Sequence, residues 1–175
     1  MMEVHFFLVP PKEVSRRAVA LAKRILATRS DWFTDNRKYF FHITLFGTSI
    51  SQSNFKNQVE EATGFTHLVK PFALEVNGFW MDHNGYLVLN ISNDNRLAIF
   101  RNQFVKTLRG SSKKILQPTL PYRPHITLTR LKLKSSRKFR ELPTTRFSFR
   151  ASVVGIGAKG KHGAVLKVFK RIKLK

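Results

Sequence analysis

One tetrapeptide occurs twice in the chain, as His42-Ile43-Thr44-Leu45 and as His125-Ile126-Thr127-Leu128. Histidine can give or take a proton near neutral pH because its unperturbed pKa is about 6.5. A threonine hydroxyl can donate a hydrogen bond to a phosphate oxygen. Two such pairs, brought together, would supply an acid, a base and two phosphate ligands. In-line cleavage of a phosphodiester needs a base for the nucleophile and an acid for the leaving oxygen, and a site built from these groups needs no metal ion or cofactor.

Both copies lie in apolar, β-branched runs, 39–46 and 124–131, whose length and composition are typical of strands. Residues i and i+2 of a strand point to the same face, so the histidine and threonine of each copy share one face. A single His-x-Thr in a strand is commonly just a half-exposed polar surface. The copies are 83 positions apart, close to half of the chain, and this spacing favours a duplication that gives two similar lobes facing each other.

Length and composition indicate one bilobal domain, residues 1–175, with 42% hydrophobic residues and no dividing linker. The absence of cysteine excludes disulfides, a thiol nucleophile and thiolate metal ligands, and it fits a reducing compartment. The apolar opening, residues 4–9, is too short for a signal peptide, and no stretch has membrane-spanning length. We therefore expect a cytoplasmic, monomeric protein without a membrane partner.

Charge is distributed very unevenly along the chain. Residues 1–94 carry 10 Lys/Arg and 9 Asp/Glu, whereas residues 95–175 carry 22 Lys/Arg and the single Glu141. Solubility alone would be served by mixed signs, so the imbalance favours a polyanionic partner. Nucleic acid is favoured over membrane because no helix combines a basic face with an exposed aromatic stripe.

The pattern of the remaining residues predicts an α+β protein with mainly antiparallel sheets and outer helices. Asn84-Gly85 is predicted to form a hairpin turn, Ser53 to cap the second helix, Gly64 to stop it and Asp94 to cap the third. A polar loop is predicted at 31–38. The predicted elements are strands at 3–9, 39–46, 72–79, 86–92, 124–131, 147–156 and 164–174, and helices at 13–28, 54–63 and 95–109.

The paired motifs, above all Arg123-Pro124-His125-Ile126-Thr127-Leu128-Thr129-Arg130, resemble those of the 2H phosphoesterase superfamily. Within it, the chain is similar to the RNA 2′,3′-cyclic phosphodiesterases, also called the 2′-5′ RNA ligase family. Val9-Pro10 after the first strand and Phe46-Gly47 after the first motif extend the similarity over most of the chain.

The resemblance implies a bilobal fold with the motifs on the inner strands of a central cleft. It also implies hydrolysis of a terminal 2′,3′-cyclic phosphate to a 2′-phosphate. Carried over by position, His42 is the proton donor to the leaving O3′, His125 is the proton acceptor that activates water, and Thr44 and Thr127 hold the phosphate. The residue pattern itself allows the acid and base roles to be exchanged.

Further residues are candidates for RNA contacts. The charge distribution predicts a polymeric RNA end, held by Lys/Arg of the C-terminal lobe. Arg123, Arg130 and Lys161 are candidate contacts, although simple alternation turns Arg130 to the strand face away from His125. His5 lies on one strand face with Glu3 and Phe7, and it contacts substrate only if that face lines the cleft. Aromatic side chains near the motifs could stack a base or lie in the core: Trp32, Phe33, Tyr39 and Tyr122.

Two alternatives stay open. One is cleavage or ligation of 2′-5′-linked oligonucleotides at the same site, which the resemblance also permits. The other is a non-catalytic RNA-binding module on the same fold. Two histidines and two threonines argue against the second, because binding alone has no need of proton-transfer groups.

Overall fold

The computed structural model describes residues 1–26, 30–33, 40–82, 84–92, 95–108, 115–116, 122–131, 145–160 and 163–175. Its three helices are α1 (Lys12–Leu26), α2 (Gln52–Thr66) and α3 (Asn95–Leu108). Its strands are β1 (Met2–Leu8), β2 (Ser30–Phe33), β3 (Ile43–Ile50), β4 (Phe72–Met81), β5 (Tyr86–Ile91), β6 (Ile115–Leu116), β7 (His125–Leu131), β8 (Arg146–Ala151), β9 (Val153–Lys159) and β10 (Val165–Lys173).

Two five-stranded sheets form the two lobes. The first sheet has the order β10-β9-β1-β3-β6 and the second β2-β7-β5-β4-β8, and every strand pair is antiparallel. Helices α2 and α3 pack on each other and on the first sheet, whereas α1 packs against β7 of the second sheet. The predicted α+β, bilobal, mainly antiparallel fold is confirmed.

The lobes do not correspond to the two halves of the sequence. Residues 147–156 were predicted as one strand, but the strand is interrupted at Ser152: β8 pairs with β4, and β9 pairs with β1 of the other sheet. The basic final hairpin therefore lies in the same lobe as the N-terminal strand. The expectation of a separate, basic C-terminal lobe is wrong, because strand pairing carries the end of the chain back to its beginning.

Several predicted boundaries also shift. Strand β3 begins immediately after His42 and continues past Gly47 to Ile50. The predicted loop at 31–38 contains part of β2, an edge strand too short to show periodicity. Helix α2 is capped by Ser51, whose hydroxyl accepts from the Asn54 backbone N–H at 3.3 Å, and it continues through Gly64. The flanking turns could not be located from composition alone.

The β4–β5 hairpin turn is confirmed. Gly85 has φ +83°, a conformation that glycine adopts without a steric penalty. The Asp82 carboxylate accepts from the backbone N–H groups of Asn84 at 2.9 Å and Tyr86 at 2.8 Å. These bonds fix where β5 begins, and hence its register against β4 and β7.

The core lies between the helices and one face of each sheet. The predicted buried stripe of α3 is confirmed at Leu97, Phe100, Phe104 and Leu108. In the first lobe Phe6 stacks on Phe46 at 4.8 Å, and Phe104 meets both rings edge-on at 5.6 Å. Because Phe6 points to the helices, its neighbours His5 and Phe7 point to the opposite face of the sheet. Among the helices of the described residues, none is long and apolar enough to cross a membrane.

Candidate active site

Both motif strands carry a β-bulge at the same motif position. In the first sheet Phe6 pairs with Phe46 and Phe7 with Thr44, which leaves Leu45 without a partner. In the second sheet Leu87 pairs with Thr129 and Val88 with Thr127, which leaves Leu128 without a partner. A bulge inserts one residue and shifts the alternation of side chains beyond it. Its recurrence at the last residue of each tetrapeptide supports the duplication that the repeat predicted.

The second bulge corrects the prediction for Arg130. Directly paired residues share a face of a sheet, so Arg130 lies on the face of Tyr86, and Thr127 on the face of Val88. Tyr86 and Val88 are two apart and share one face. Arg130 therefore points to the same side as Thr127 and His125, not away from them. Simple alternation fails here because it does not count the inserted Leu128.

The same register in the first lobe places His5 beside the first motif. His5 pairs with Gly47, and Phe7 with Thr44. The ring of His5 is centred 6.4 Å from that of His42, and the ring of Phe7 5.4 Å from it. A Cβ on Gly47 would lie 3.1 Å from Cδ2 of His5, so the glycine makes room for this ring. The face of β1 that carries His5 therefore borders the candidate site, as a contact between His5 and substrate would require.

Both motif histidines are anchored in the same way. His42 Nδ1 lies 2.7 Å from the carbonyl oxygen of Phe40, and His125 Nδ1 lies 2.9 Å from that of Arg123. A carbonyl can only accept, so each Nδ1 carries the hydrogen and donates it. Each Nε2 is then the nitrogen that can exchange a proton with a ligand. The anchor comes from residue i−2 in both cases, a repeated feature that lies outside the tetrapeptide.

The electrostatics of His42 connect the two motifs. Burial lowers the pKa of His42 below its usual value, and the charge of His125 lowers it further. Hydrogen bonds to the backbone of Phe40 and Gly163 oppose these effects by stabilising the charged ring. The two motifs are also close in space, since β3 and β7, the strands that carry them, contact each other.

Two side chains from outside the motifs hydrogen-bond to the backbone at the first bulge. The Tyr122 hydroxyl donates to the carbonyl of Thr44 at 3.0 Å, and Arg101 Nε donates to the carbonyl of Leu45 at 2.7 Å. The Arg101 guanidinium also lies 4.5 Å above the Tyr122 ring. Burial raises the pKa of Tyr122. Tyr122 is thus a link between the lobes, and its ring face is covered by Arg101.

Aromatic rings lie beside His125, Arg123 and Arg130 around the second motif. The Trp80 ring meets His125 edge-on at 6.1 Å, and the guanidinium of Arg123 lies 5.9 Å from the centre of Trp80. Arg130 lies 5.6 Å from the ring centre of Tyr86 and donates to the carbonyl of Asn84 at 3.4 Å. The sequence did not identify Trp80 as a residue of the site. Asn84-Gly85 predicts where the turn lies but not the length of the loop, and the loop length decides that Trp80 pairs with Val88.

Some predictions fall on residues that are not described. Outside the described part of the chain lie Lys161, Tyr39 and Asp94, together with the side chains of Trp32 and Phe33. Neither the Thr44 nor the Thr127 hydroxyl forms a hydrogen bond within the described part of the chain. Across that same part, no three His, Asp or Glu side chains are grouped to hold a metal ion.

Stability is expected to fall in mild acid because His5 is buried. Burial and the charge of His42 lower the pKa of His5 from 6.5 to about 4. The unfolded chain therefore takes up a proton below pH 6.5 that the folded protein accepts only near pH 4. The titration of His5 should therefore lower the free energy of unfolding by up to about 1.4 kcal/mol for each unit by which the pH falls across that window.

Urea unfolding of the parent and of His5→Gln, at several pH values between 7 and 4, measures the effect. The glutamine cannot titrate, so stability of the variant should depend less steeply on pH. Parallel pH profiles for the two proteins would contradict the prediction.

Comparison with known proteins agrees with this fold. Residues 9–156 match the family model described as the 2′-5′ RNA ligase superfamily. TT0787 of Thermus thermophilus is 19% identical, with a TM-score of 0.74, and E. coli LigT complexed with 3′-AMP is 17% identical, with a TM-score of 0.72. Each similarity covers 99% of this chain and 98% of the other. At these identities the similarity establishes the fold. No curated protein sequence matches the chain significantly.

Proposed function

Since the chain belongs to the 2′-5′ RNA ligase superfamily of 2H phosphoesterases, we propose that it hydrolyses RNA ends with a 2′,3′-cyclic phosphate to 2′-phosphate ends. The observation that carries this proposal is the repeated local geometry of the two motifs. Each presents a histidine anchored through Nδ1 and a threonine two residues later, just before the same bulge. A site for binding alone would not need two equivalent proton-transfer groups.

In the proposed mechanism, Nε2 of His125 takes a proton from water as the water oxygen attacks phosphorus. The bond between phosphorus and O3′ breaks, and Nε2 of His42 gives its proton to the leaving O3′. The products are a 2′-phosphomonoester and a free 3′-hydroxyl. His125 ends protonated and His42 neutral, and exchange of one proton with solvent restores the starting state.

The lowered pKa of His42 bears on this assignment. A proton donor must be charged when substrate is bound, whereas burial favours neutral His42 in the free protein. A bound cyclic phosphate carries a negative charge close to the ring, which raises the pKa again. The donor role of His42 therefore depends on the substrate. The exchanged assignment, with neutral His42 as the base, is the competing one.

The threonines and the arginine on the shared face would bind the phosphate. Thr44 and Thr127 hydroxyls can donate to the non-bridging oxygens, on which negative charge builds up in the transition state. Arg130 points to the same side as Thr127 and adds a permanent positive charge. Arg123, which is exposed and lies against Trp80, is the contact proposed for the terminal nucleotide.

The test is incubation of a short RNA ending in a 2′,3′-cyclic phosphate with the protein in EDTA. We expect conversion to a 2′-phosphate end at an undiminished rate, because the proposed chemistry uses only histidine, threonine and water. Parallel incubation with a 2′-5′-linked oligonucleotide tests the alternative reaction. Turnover of that substrate alone, or RNA binding by the folded protein without any turnover, would contradict the proposal.

A further inference from the structure

A cavity of about 610 Å³ lies beside the first motif, between the two lobes. One wall is α1, which packs on the second sheet, and the other is formed by the end of β1 and by β10 of the first sheet. Residues Phe40 and Phe41, which lead into the motif, complete the lining. None of the four motif residues His42, Thr44, His125 and Thr127 lines this cavity.

The cavity adjoins the candidate active site. His5, Phe7 and Val9 follow one another on the face of β1 that borders His42, and Val9 extends the strand pairing through a 2.9 Å hydrogen bond to Val153. Phe7 contacts the His42 ring and also lines the cavity. Phe40 lines it too, and its carbonyl accepts from His42. A chain whose end lies at His42 could therefore continue directly into the cavity.

The rim of the cavity is cationic. Lys12, Arg16 and Lys23 are exposed and lie at i, i+4 and i+11 on α1, which places them in one row on the helix surface. This row is roughly 16 Å long at the helical rise per residue. Arg171 of β10 faces the row from the other wall. Within the described residues, none of these four cations forms an ion pair with a carboxylate.

A second cavity of about 530 Å³ extends the first along β10. The two cavities share Phe40, Val168 and Arg171. The second is also lined by Lys167 and Lys170, which pair with Ala158 and Ile156 on the helix-facing side of the sheet. Among the described residues that line either cavity, none is Asp or Glu. The space beside Phe40 and Arg171 therefore continues from the first cavity along the edge strand β10.

We propose that this groove is a subsite for single-stranded RNA that holds the nucleotides preceding the terminal cyclic phosphate. Phosphates lie along the cations of α1 and β10, and bases pack on the aromatic floor at Phe40. Single strands are bound in this way by grooves that combine a basic track with aromatic stacking. The proposal rests on the proposed function for the identity of the bound end. It also relocates the RNA contacts: three of the four rim cations come from the first half of the sequence.

The experiment compares two triple variants of the full chain that remove equal charge. Lys12→Ala/Arg16→Ala/Lys23→Ala removes the helical row. Lys70→Ala/Arg96→Ala/Lys106→Ala removes three exposed cations on or next to α2 and α3 and serves as the control. The substrates are a cyclic mononucleotide and an RNA of about 12 nucleotides with the same cyclic end, a length within the usual range of single-strand sites.

For the row variant we expect kcat/KM on the oligonucleotide to fall at least about tenfold more than on the mononucleotide. For this variant, the slope of the logarithm of the oligonucleotide binding constant against the logarithm of the salt concentration should become shallower. The change should be about 0.7 for each phosphate contact that is lost. The control should show neither effect. Equal losses in both triple variants, or equal losses on both substrates, would overturn the subsite.

Binding of a 3′-hydroxyl RNA of the same length, followed by fluorescence anisotropy, separates the subsite from the chemistry. If no protein turns over cyclic ends but only the row variant loses RNA binding, the subsite stands and the proposed function fails. If the parent hydrolyses both substrates and both triple variants behave alike, the function stands and the subsite fails. A row variant that loses binding to phosphatidylserine vesicles as strongly as to RNA would overturn the assignment to RNA.

Discussion

Replacement of either motif histidine by alanine is expected to reduce turnover of a 2′,3′-cyclic phosphate end by about 10²–10⁴-fold. General acid–base catalysis by one positioned group contributes about this much. The double variant should be little slower than the worse single variant, because the two groups act in one step. Single-turnover rates of His42→Ala, His125→Ala and the double variant provide the measurement. Residual rates within tenfold of the parent would contradict a two-histidine mechanism.

A substrate with a good leaving group separates the two roles. p-Nitrophenolate leaves without a proton, so a p-nitrophenyl phosphodiester needs the base but not the acid. If His42 is the donor, His42→Ala should lose much less activity on this substrate than on RNA, whereas His125→Ala should lose activity on both. The opposite pattern would exchange the roles, in agreement with the lowered pKa that burial gives His42.

Much of the fold follows from local sequence. Periodicity located the long helices, and the repeated tetrapeptide located the two strands that meet at the site. Which strands pair with each other could not be predicted, because pairing depends on contacts between residues distant in sequence. Ser152 has no turn signature, yet the chain passes there from one sheet to the other.

The candidate site was predictable to the extent that two-residue alternation applies. Alternation correctly places His42 with Thr44, and His125 with Thr127, on one face because these residues precede the bulges. Arg130 was misassigned because it follows one. The ties at Tyr122 and Arg101 could not be predicted, since their acceptors are backbone carbonyls that the bulged strand leaves free for side chains. Side-chain chemistry is visible in a sequence, whereas backbone acceptors are not.

Gly155 of β9 leaves room for the Phe7 ring on the motif face of the first sheet. Gly155 pairs with Phe7, and a Cβ there would overlap Cε2 of Phe7 and lie 2.5 Å from its Cζ. The Phe7 ring is 1% exposed and packs against His42, so it cannot move away freely. We expect Gly155→Ala to lower the free energy of unfolding by about 1–3 kcal/mol, the usual range for overpacking. It should also reduce turnover, because the displaced ring disturbs His42.

Gly64→Ala is the matched control for this substitution. Gly64 is exposed inside α2, and an added Cβ would meet nothing within 4 Å. Alanine should raise the free energy of unfolding by about 0.5–1 kcal/mol, because it restricts the unfolded chain and favours the helix. Urea unfolding and turnover of both variants test the pair. If Gly155→Ala were as stable and as active as Gly64→Ala, Phe7 would not be held against His42, and the first motif would lack the support that its buried neighbours indicate.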